Sequence, residues 1–134
     1  MENGSAPVTV LIVDDQVLFR RAAAAVVRIT RGFELVGEAE SGEEAVELSH
    51  QLEPSMILMD INMSGINGIE ASRRITTAHP DTVVVLLSTY RREDLPSDAH
   101  VSGMAAYVNK DEFGPQVLTD VWNAAHGAGA APGT

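Results

Sequence analysis

Continuous apolar runs alternate along the chain with segments in which apolar residues recur every three or four positions. A continuous apolar run is typical of a strand buried on both faces of a parallel sheet, and the longer spacing is typical of an amphipathic helix. The runs predict strands at residues 8–13, 33–36, 56–60, 82–87 and 105–109. Strands and helices are therefore expected to alternate through most of the chain.

The helices are predicted from their apolar stripes and from the residues at their ends. Gly32, Pro54 and Pro80 would end the first three helices, and Ser41 followed by Glu44 has the spacing of an N-terminal capping box. The predicted stripes are Leu18, Ala22, Val26 and Ile29 in the first helix; Ala45, Leu48 and Leu52 in the second; Ile69, Ser72 and Ile75 in the third; and Phe113, Val117, Val121 and Ala124 in the fifth.

The fourth helix is predicted from proline placement, because Pro96 would lose a hydrogen bond inside a helix. We place Pro96 in the first turn and expect a short helix to about Ser102, ended by Gly103. Five strands alternating with five helices predict a three-layer α/β fold, with a parallel sheet covered on both faces. Right-handed crossovers with short connections favour the flavodoxin-like strand order 2-1-3-4-5.

Composition limits the classes of function. The 134 residues predict one domain at 8–125, between a flexible leader at 1–7 and a flexible tail or linker start at 126–134. A net charge of −10 argues against direct nucleic-acid binding by this domain, since phosphate binding needs a basic face. The absence of cysteine excludes disulfides and agrees with a cytoplasmic location. No apolar run is long enough to cross a membrane, so no membrane contact is expected.

Polar residues stand at the carboxyl ends of four predicted strands. Asp14 and Asp15 follow the first strand, Asp60 ends the third, Ser88 follows the fourth and Lys110 follows the fifth. In the expected strand order these groups converge at one mouth, meaning the open edge of the sheet formed by the carboxyl ends of its strands. Three carboxylates there would repel one another and attract a cation such as Mg²⁺. A metal and a lysine beside a carboxylate can move a phosphoryl group onto that carboxylate. Taken singly, each acid reads as a helix cap and the lysine as a solvated side chain.

These motifs together resemble the receiver domain of two-component response regulators, over about residues 8–125. The motifs are Val13-Asp14-Asp15, Leu58-Met59-Asp60-Ile61-Asn62-Met63, Gly65 and Gly68, Leu87-Ser88, and Ala106-Tyr107-Val108-Asn109-Lys110. The stretches Leu18-Phe19-Arg20, Gly68-Ile69-Glu70-Ala71 and Lys110-Asp111 are similar to the NarL/FixJ subgroup. Most members of that subgroup carry a helix-turn-helix after the receiver, and no output domain is visible in this sequence.

The resemblance implies a role for each matching position. Asp60 would be the phosphoacceptor for a histidine kinase, with Ser88 and Lys110 contacting the phosphoryl oxygens. The Mg²⁺ cofactor would be held by Asp15 directly, by Asp14 mostly through water, by Asp60 and by the main-chain carbonyl of Asn62. Tyr107 matches the switch aromatic, which changes its exposure together with Ser88 on phosphorylation.

Four positions either depart from the family pattern or lie where the family tunes the chemistry of its phosphoryl group. Ser64 replaces the usual proline after the phosphoacceptor, and Thr89 replaces a smaller residue after Ser88. Asn62, Thr89 and Tyr90 lie where the family tunes phosphorylation and hydrolysis of the acyl phosphate. We therefore expect slow phosphorylation and a long-lived phosphoryl group.

The leading hypothesis is a phosphorylation switch, not an enzyme beyond its own phosphorylation and slow dephosphorylation. It would change the face formed by the fourth helix, fifth strand and fifth helix. That face would bind a downstream protein, a separate or missing DNA-binding output domain, or a second copy of the chain. The alternative is a phosphorylation-independent interaction module, favoured by Ser64, Thr89 and Pro96. A third reading, an aspartyl-phosphate phosphatase, is weaker because Asn62 stands where a general acid would be needed.

Overall fold

The structure is a computed structural model that describes residues 6–130, with side chains described to residue 126. Five strands and four α-helices alternate along this part of the chain. The strands are β1 Val8–Val13, β2 Phe33–Ala39, β3 Met56–Asp60, β4 Val83–Ser88 and β5 Ala106–Asn109. The helices are α1 Val17–Ile29, α2 Gly42–Leu52, α3 Gly68–Ala78 and α4 Pro115–Ala130.

The strands form one parallel sheet in the order β2-β1-β3-β4-β5, which confirms the predicted flavodoxin-like topology. Every residue of β3 and β4 is buried, because helices cover both faces of the sheet. One core cluster joins the sheet to α2 and α3 through Ala45 and Ile75, and the other joins it to α1 and α4 through Val27 and Leu118. The carboxyl ends of β1, β3, β4 and β5 consequently lie side by side.

The predicted Ser41 cap of α2 is present, but Glu44 accepts its return hydrogen bond from the Glu40 amide and not from the Ser41 amide that a capping box uses. The Ser41 side chain accepts a hydrogen bond from the Glu44 amide at 3.1 Å, and the Glu44 carboxylate accepts one from the Glu40 amide at 2.8 Å. At the other end, Glu53 adopts a left-handed conformation just before Pro54. Of the predicted apolar stripe, Ala45 is buried and Leu48 half-buried, but Leu52 is 40% exposed.

The predicted phase of α1 is wrong. The buried residues are Ala23, Ala24 and Val27, whereas Leu18 and Ile29 are 81% and 74% exposed. Of the other two predicted core positions, Ala22 is exposed and Val26 only half-buried. The run Ala-Ala-Ala-Ala-Val-Val offers apolar faces at several rotations, so periodicity alone does not select one. Packing small alanines against the sheet brings the helix close to it and turns the larger Leu18 and Ile29 outward.

The predicted fourth helix is replaced by two 3₁₀ turns, Arg92–Asp94 and Ser97–Val101. Between the turns, Leu95 and Pro96 are extended, with ψ angles of 139° and 141°. The proline ring disfavours helical geometry in the preceding residue, so Pro96 separates the two turns. The second turn lies where the short helix from Pro96 to about Ser102 was predicted, but it has 3₁₀ and not α geometry. Gly103 follows the second turn with φ +85°, as its predicted role as a terminator requires.

The final helix also differs from its prediction. Phe113 precedes α4, Leu118 is its fully buried residue and Ala124 is exposed, while Val117 and Val121 are half-buried. The helix continues through residues 126–130, so the predicted flexible tail does not begin at 126. Residues 1–5 of the predicted leader and 131–134 of the predicted tail lie outside the described residues.

Smaller differences concern strand ends. β2 extends to Ala39, beyond the predicted end at 36, and pairs with β1 through a register shift between Val10 and Leu11. The predicted strands at 82–87 and 105–109 are each displaced at their first residue, and β4 includes Ser88. Among the helices of the described residues, none combines the length and the apolar character that a membrane crossing needs.

Candidate functional site

Three carboxylates meet at the carboxyl edge of the sheet. β1 runs into Asp14 and Asp15, while β3, its hydrogen-bonded neighbour, ends at Asp60. Carboxylate oxygens of the three residues lie within 4.8 Å of one another. Asp14 and Asp60 are 1% and 3% exposed, and Asp15 is exposed. The strands fix the two buried acids at short range, so the acids cannot separate to reduce their repulsion.

Lys110, directly after β5, supplies the opposite charge. Its Nζ atom lies 2.8 Å from Asp14 Oδ2 and 3.3 Å from Asp60 Oδ1, and its side chain is only 9% exposed. The ammonium also donates to Gln16 Oε1 at 3.3 Å and lies 4.6 Å from the centre of the Phe19 ring. Lys110 thus bridges the acids of β1 and β3 in the resting site.

The electrostatics of the site act most strongly on Asp60. Burial, and after it the charge of Asp14, raise the pKa of the Asp60 carboxyl from 3.8 to about 6. The charge and hydrogen bond of Lys110, and a backbone hydrogen bond from Asn62, oppose this rise. Asp60 is therefore a carboxylate that is ionised at neutral pH but destabilised, which favours reaction or cation binding.

The donor set fits a hard divalent cation. Asp14 Oδ1 accepts a hydrogen bond from the Gln16 amide at 2.8 Å. Asp14 Oδ2 is buried and contacts Lys110, but it accepts no well-aligned hydrogen bond within residues 6–130. Such an oxygen has a lone pair available, and Asp15 and Asp60 add further oxygens beside it. Carboxylate oxygens with room for water are the ligands that Mg²⁺ prefers.

Ser88 and Tyr107 form a buried pair next to these acids. The Ser88 hydroxyl lies 2.9 Å from the Tyr107 hydroxyl and accepts from the Tyr90 amide at 3.0 Å. The Tyr107 hydroxyl, which has one proton to donate, also lies within hydrogen-bond distance of two main-chain carbonyls, that of Ser88 at 3.1 Å and that of Tyr90. Tyr107 is only 3% exposed, so its ring points inward. The Ser88 hydroxyl is engaged with Tyr107 and makes no hydrogen bond to Asp60 in the described part of the chain.

The predicted tuning residues lie at the rim of the mouth. The Tyr90 hydroxyl donates to Asn62 Oδ1 at 3.4 Å, while Thr89 is exposed beside them. This contact links the segment after β4 to the loop that follows Asp60.

The loop after Asp60 carries Asn62 and the exposed Ser64, and it is tied at both ends. The Glu43 carboxylate accepts a hydrogen bond from the Ile66 amide at 3.1 Å, and the Gly68 amide donates to the Ile61 carbonyl at 2.8 Å. The Ile66 amide also holds the pKa of the Glu43 carboxyl below its ordinary value. A Cβ at Gly68 would collide with the main-chain oxygen of Asp60, so the helix start needs glycine there.

Three contacting residues were not predicted as site residues: Gln16, Phe19 and Arg20. Gln16 and Phe19 contact Lys110, and Arg20 donates to the main-chain carbonyl of Asp14 at 2.7 Å. Gln16 and Phe19 are three residues apart and Gln16 and Arg20 four apart, which places them on one face at the start of a helix. That spacing, directly after an acid pair, is the signal that could have identified them.

Comparison with known proteins agrees with this geometry. Residues 10–122 match the family model of the response regulator receiver domain. The chain belongs to that family. This receiver domain is 36% identical over 103 residues to the response regulator GacA of Pseudomonas viridiflava, covering 77% of this chain and 48% of GacA. The chain thus spans about half the length of the curated relatives it matches.

Solved structures place the fold in the same family. The receiver domain of the putative response regulator NarL from Mycobacterium tuberculosis superposes with a TM-score of 0.83 at 27% identity, covering 92% of this chain and 99% of that one. CheY of Borrelia burgdorferi, solved in a complex with CheX, BeF₃ and Mg²⁺, gives a TM-score of 0.77 at 25% identity, with 89% of each chain covered. The NarL likeness supports the predicted subgroup.

Proposed function

We propose that this receiver domain is a phosphorylation-dependent switch in which Asp60 accepts a phosphoryl group from a histidine kinase. The observation that carries the proposal is the bridging of Asp14 and Asp60 by Lys110 Nζ, at 2.8 and 3.3 Å, in a nearly buried site. A carboxylate nucleophile beside a cation and a cluster of cation-binding acids is the arrangement that phosphoryl transfer needs.

The proposed Mg²⁺ ligands are Asp14, Asp15, Asp60 and the main-chain carbonyl of Asn62. When bound, the ion supplies positive charge that stabilises the phosphoryl oxygens in the transition state. Asp14 Oδ2, which is paired with Lys110 but accepts no well-aligned hydrogen bond within residues 6–130, and the exposed Asp15 would supply ligand oxygens for it. The presence of Mg²⁺ in the related CheY complex supports the choice of ion.

In the proposed transfer, an ionised oxygen of Asp60 attacks the phosphorus of a phosphohistidine. The new P–O bond forms as the P–N bond breaks, and the imidazole nitrogen leaves with the bonding electrons and takes up a proton. Lys110 then exchanges its contact with Asp60 for the phosphoryl oxygens. The Ser88 hydroxyl, hydrogen-bonded to Tyr107 at 2.9 Å, would turn from Tyr107 to the same oxygens.

The release of Tyr107 would carry the signal to an output face formed by residues 92–101, β5 and α4. Arg92 connects this face to the switch, because it donates to the Tyr107 carbonyl at 3.1 Å and lies 5.8 Å from the ring centre. We propose that a downstream protein, an output domain or a second copy of the chain binds there. A second arrangement of the Ser88–Tyr107 pair, favoured by the phosphoryl group, would shift the population of states at this face.

One observation favours the alternative of a phosphorylation-independent interaction module: the output face carries two short 3₁₀ turns instead of a regular helix. Intact-mass measurement after incubation with acetyl phosphate, with and without Mg²⁺, separates the two functions. The switch requires a Mg²⁺-dependent gain of one phosphoryl group that disappears in Asp60→Asn. Absence of an adduct in the wild type would support the interaction module, and fast turnover without an adduct would support a phosphatase.

The lifetime of the phosphoryl group is a separate proposal. Tyr90 and Asn62 meet at the mouth, and we propose that they slow the approach of hydrolytic water to Asp60. A chase of labelled protein should show a long-lived adduct that Tyr90→Ala shortens. A wild-type half-life of seconds would contradict this shielding.

A further inference from the structure

Arg20, on α1, connects the Asp14–Asp15 pair to β2. Its side chain is 12% exposed, although it carries a full charge. Nη1 donates to the main-chain carbonyl of Asp14 at 2.7 Å, and Nε donates to Glu38 Oε1 on β2 at 3.1 Å. Nη2 lies 3.9 Å from Glu40 Oε2, just beyond the same strand. The guanidinium is thus paired with Glu38 on β2 and at the same time hydrogen-bonded to the peptide between Asp14 and Asp15.

The hydrogen bond from Arg20 to the Asp14 carbonyl determines the position of the Asp15 backbone. A peptide unit is planar, so fixing the Asp14 carbonyl also fixes the direction of the bond to Asp15 and the position of its Cα. The Asp14 amide donates to the Ala39 carbonyl at 3.0 Å, which holds the other side of Asp14. The Asp15 carboxylate itself is exposed and has no side-chain partner within residues 6–130. Its position therefore depends on the backbone that Arg20 orients.

We infer that Arg20 is a positioning residue for the cation site, acting through the Asp14–Asp15 peptide. The inference rests on the proposed function, since it concerns the proposed Mg²⁺ ligands. Glu38 and Glu40 offset the charge of Arg20, so its effect on the acids is geometric more than electrostatic. Hydrogen-bond partners that orient metal ligands typically change metal affinity by about 10- to 100-fold when they are removed.

The test is calorimetric titration of the whole chain with MgCl₂. Arg20→Met should weaken Mg²⁺ binding by about tenfold or more, because the planar peptide loses its donor. Arg21→Met is the matched control, since Arg21 is the exposed neighbour on the same helix, and it should bind Mg²⁺ like the wild type. Arg20→Lys keeps one donor for the Asp14 carbonyl and should recover part of the affinity, which also guards against a misfolded methionine variant.

Glu38→Gln separates positioning from a general structural role. The glutamine can still accept from Arg20 Nε but loses the ion pair, so this variant should lose stability without losing Mg²⁺ affinity. Equal Mg²⁺ affinity in Arg20→Met and the wild type would overturn the inference, as would equal losses of affinity in Glu38→Gln and Arg20→Met. If the wild type binds no Mg²⁺, both the proposed metal-dependent function and the role of Arg20 are wrong. If the wild type binds Mg²⁺ and Arg20→Met binds it equally well, only the role of Arg20 is wrong.

Discussion

Replacing Asp60 with asparagine should stabilise the fold more at neutral pH than at acid pH. The carboxyl pKa rises from 3.8 to about 6 on folding, because the group is buried beside Asp14. A raised pKa means that the folded state holds the proton more tightly than the unfolded state. The stability that this group contributes is therefore complete below the unfolded pKa, near 4, and is lost as pH rises through about 6.

The gap between 3.8 and about 6 corresponds to about 3 kcal/mol, at 1.36 kcal/mol for each pH unit. Asp60→Asn removes this titration but keeps the size and shape of the side chain. The difference in unfolding free energy between variant and wild type should thus shift in favour of the variant by about 3 kcal/mol between pH 3.5 and 7.5. Acids that do not interact with Asp60 titrate alike in both proteins and cancel in that difference.

Urea unfolding in EDTA, followed by far-ultraviolet circular dichroism across this pH range, measures the shift. EDTA is needed because a bound cation would stabilise the ionised wild-type site and mask the effect. Asp98→Asn changes an exposed carboxylate and serves as the matched control, with no comparable shift expected. A difference between Asp60→Asn and wild type that stays constant with pH would refute the account of a destabilised buried carboxylate.

Three further changes test single contacts. Tyr107→Phe removes the hydroxyl that contacts the Ser88 and Tyr90 carbonyls and should lower the unfolding free energy by about 1–3 kcal/mol. Unchanged urea unfolding would contradict this. Gly68→Ala places a Cβ against the Asp60 carbonyl and should lower the unfolding free energy, followed by thermal melting, by about 1–3 kcal/mol. Gly114→Ala is the control, because its Cβ meets open space and should change the melting little. Lys110→Met should bind Mg²⁺ at least as tightly in calorimetry, because a competing cation is removed, yet accept phosphoryl from acetyl phosphate about 10²-fold more slowly; a wild-type rate would exclude Lys110 from the transfer.

The sheet was the most predictable part of the molecule, because its strands are buried on both faces. A strand such as β3 must be apolar at every position, and this leaves a continuous signal that ends visibly at Asp60. The strand order then brings Asp14, Asp60 and Lys110 to one edge without any knowledge of side-chain contacts. The candidate site followed from topology together with residue type.

Other features depend on contacts that periodicity does not report. The rotation of α1 is selected by the close approach of Ala23 and Ala24 to the sheet, although several faces of that helix are apolar. Pro96 divides residues 92–101 into two turns, an outcome that depends on Leu95 as well as on the proline. The spacing of Arg20 after the acid pair could place it near the site but not define its role, since that role depends on a main-chain carbonyl that any residue at position 14 would offer.

The geometry of the acids links the chemistry of the site to its stability. β1 and β3 pair from Val10 and Met56 to Val13 and Met59, so the hydrogen-bonded ladder prevents the acids that follow from moving apart. Their repulsion can be relieved by a proton on Asp60, by Lys110 or by a bound cation, and the first of these removes the nucleophile. Lys110 fills this role in the structure, and in the proposed transfer it would leave Asp60 to contact the phosphoryl group. In the proposed mechanism a second cation would then be needed at the acids, so the proposed Mg²⁺ dependence would follow from anchoring the carboxylates on neighbouring parallel strands.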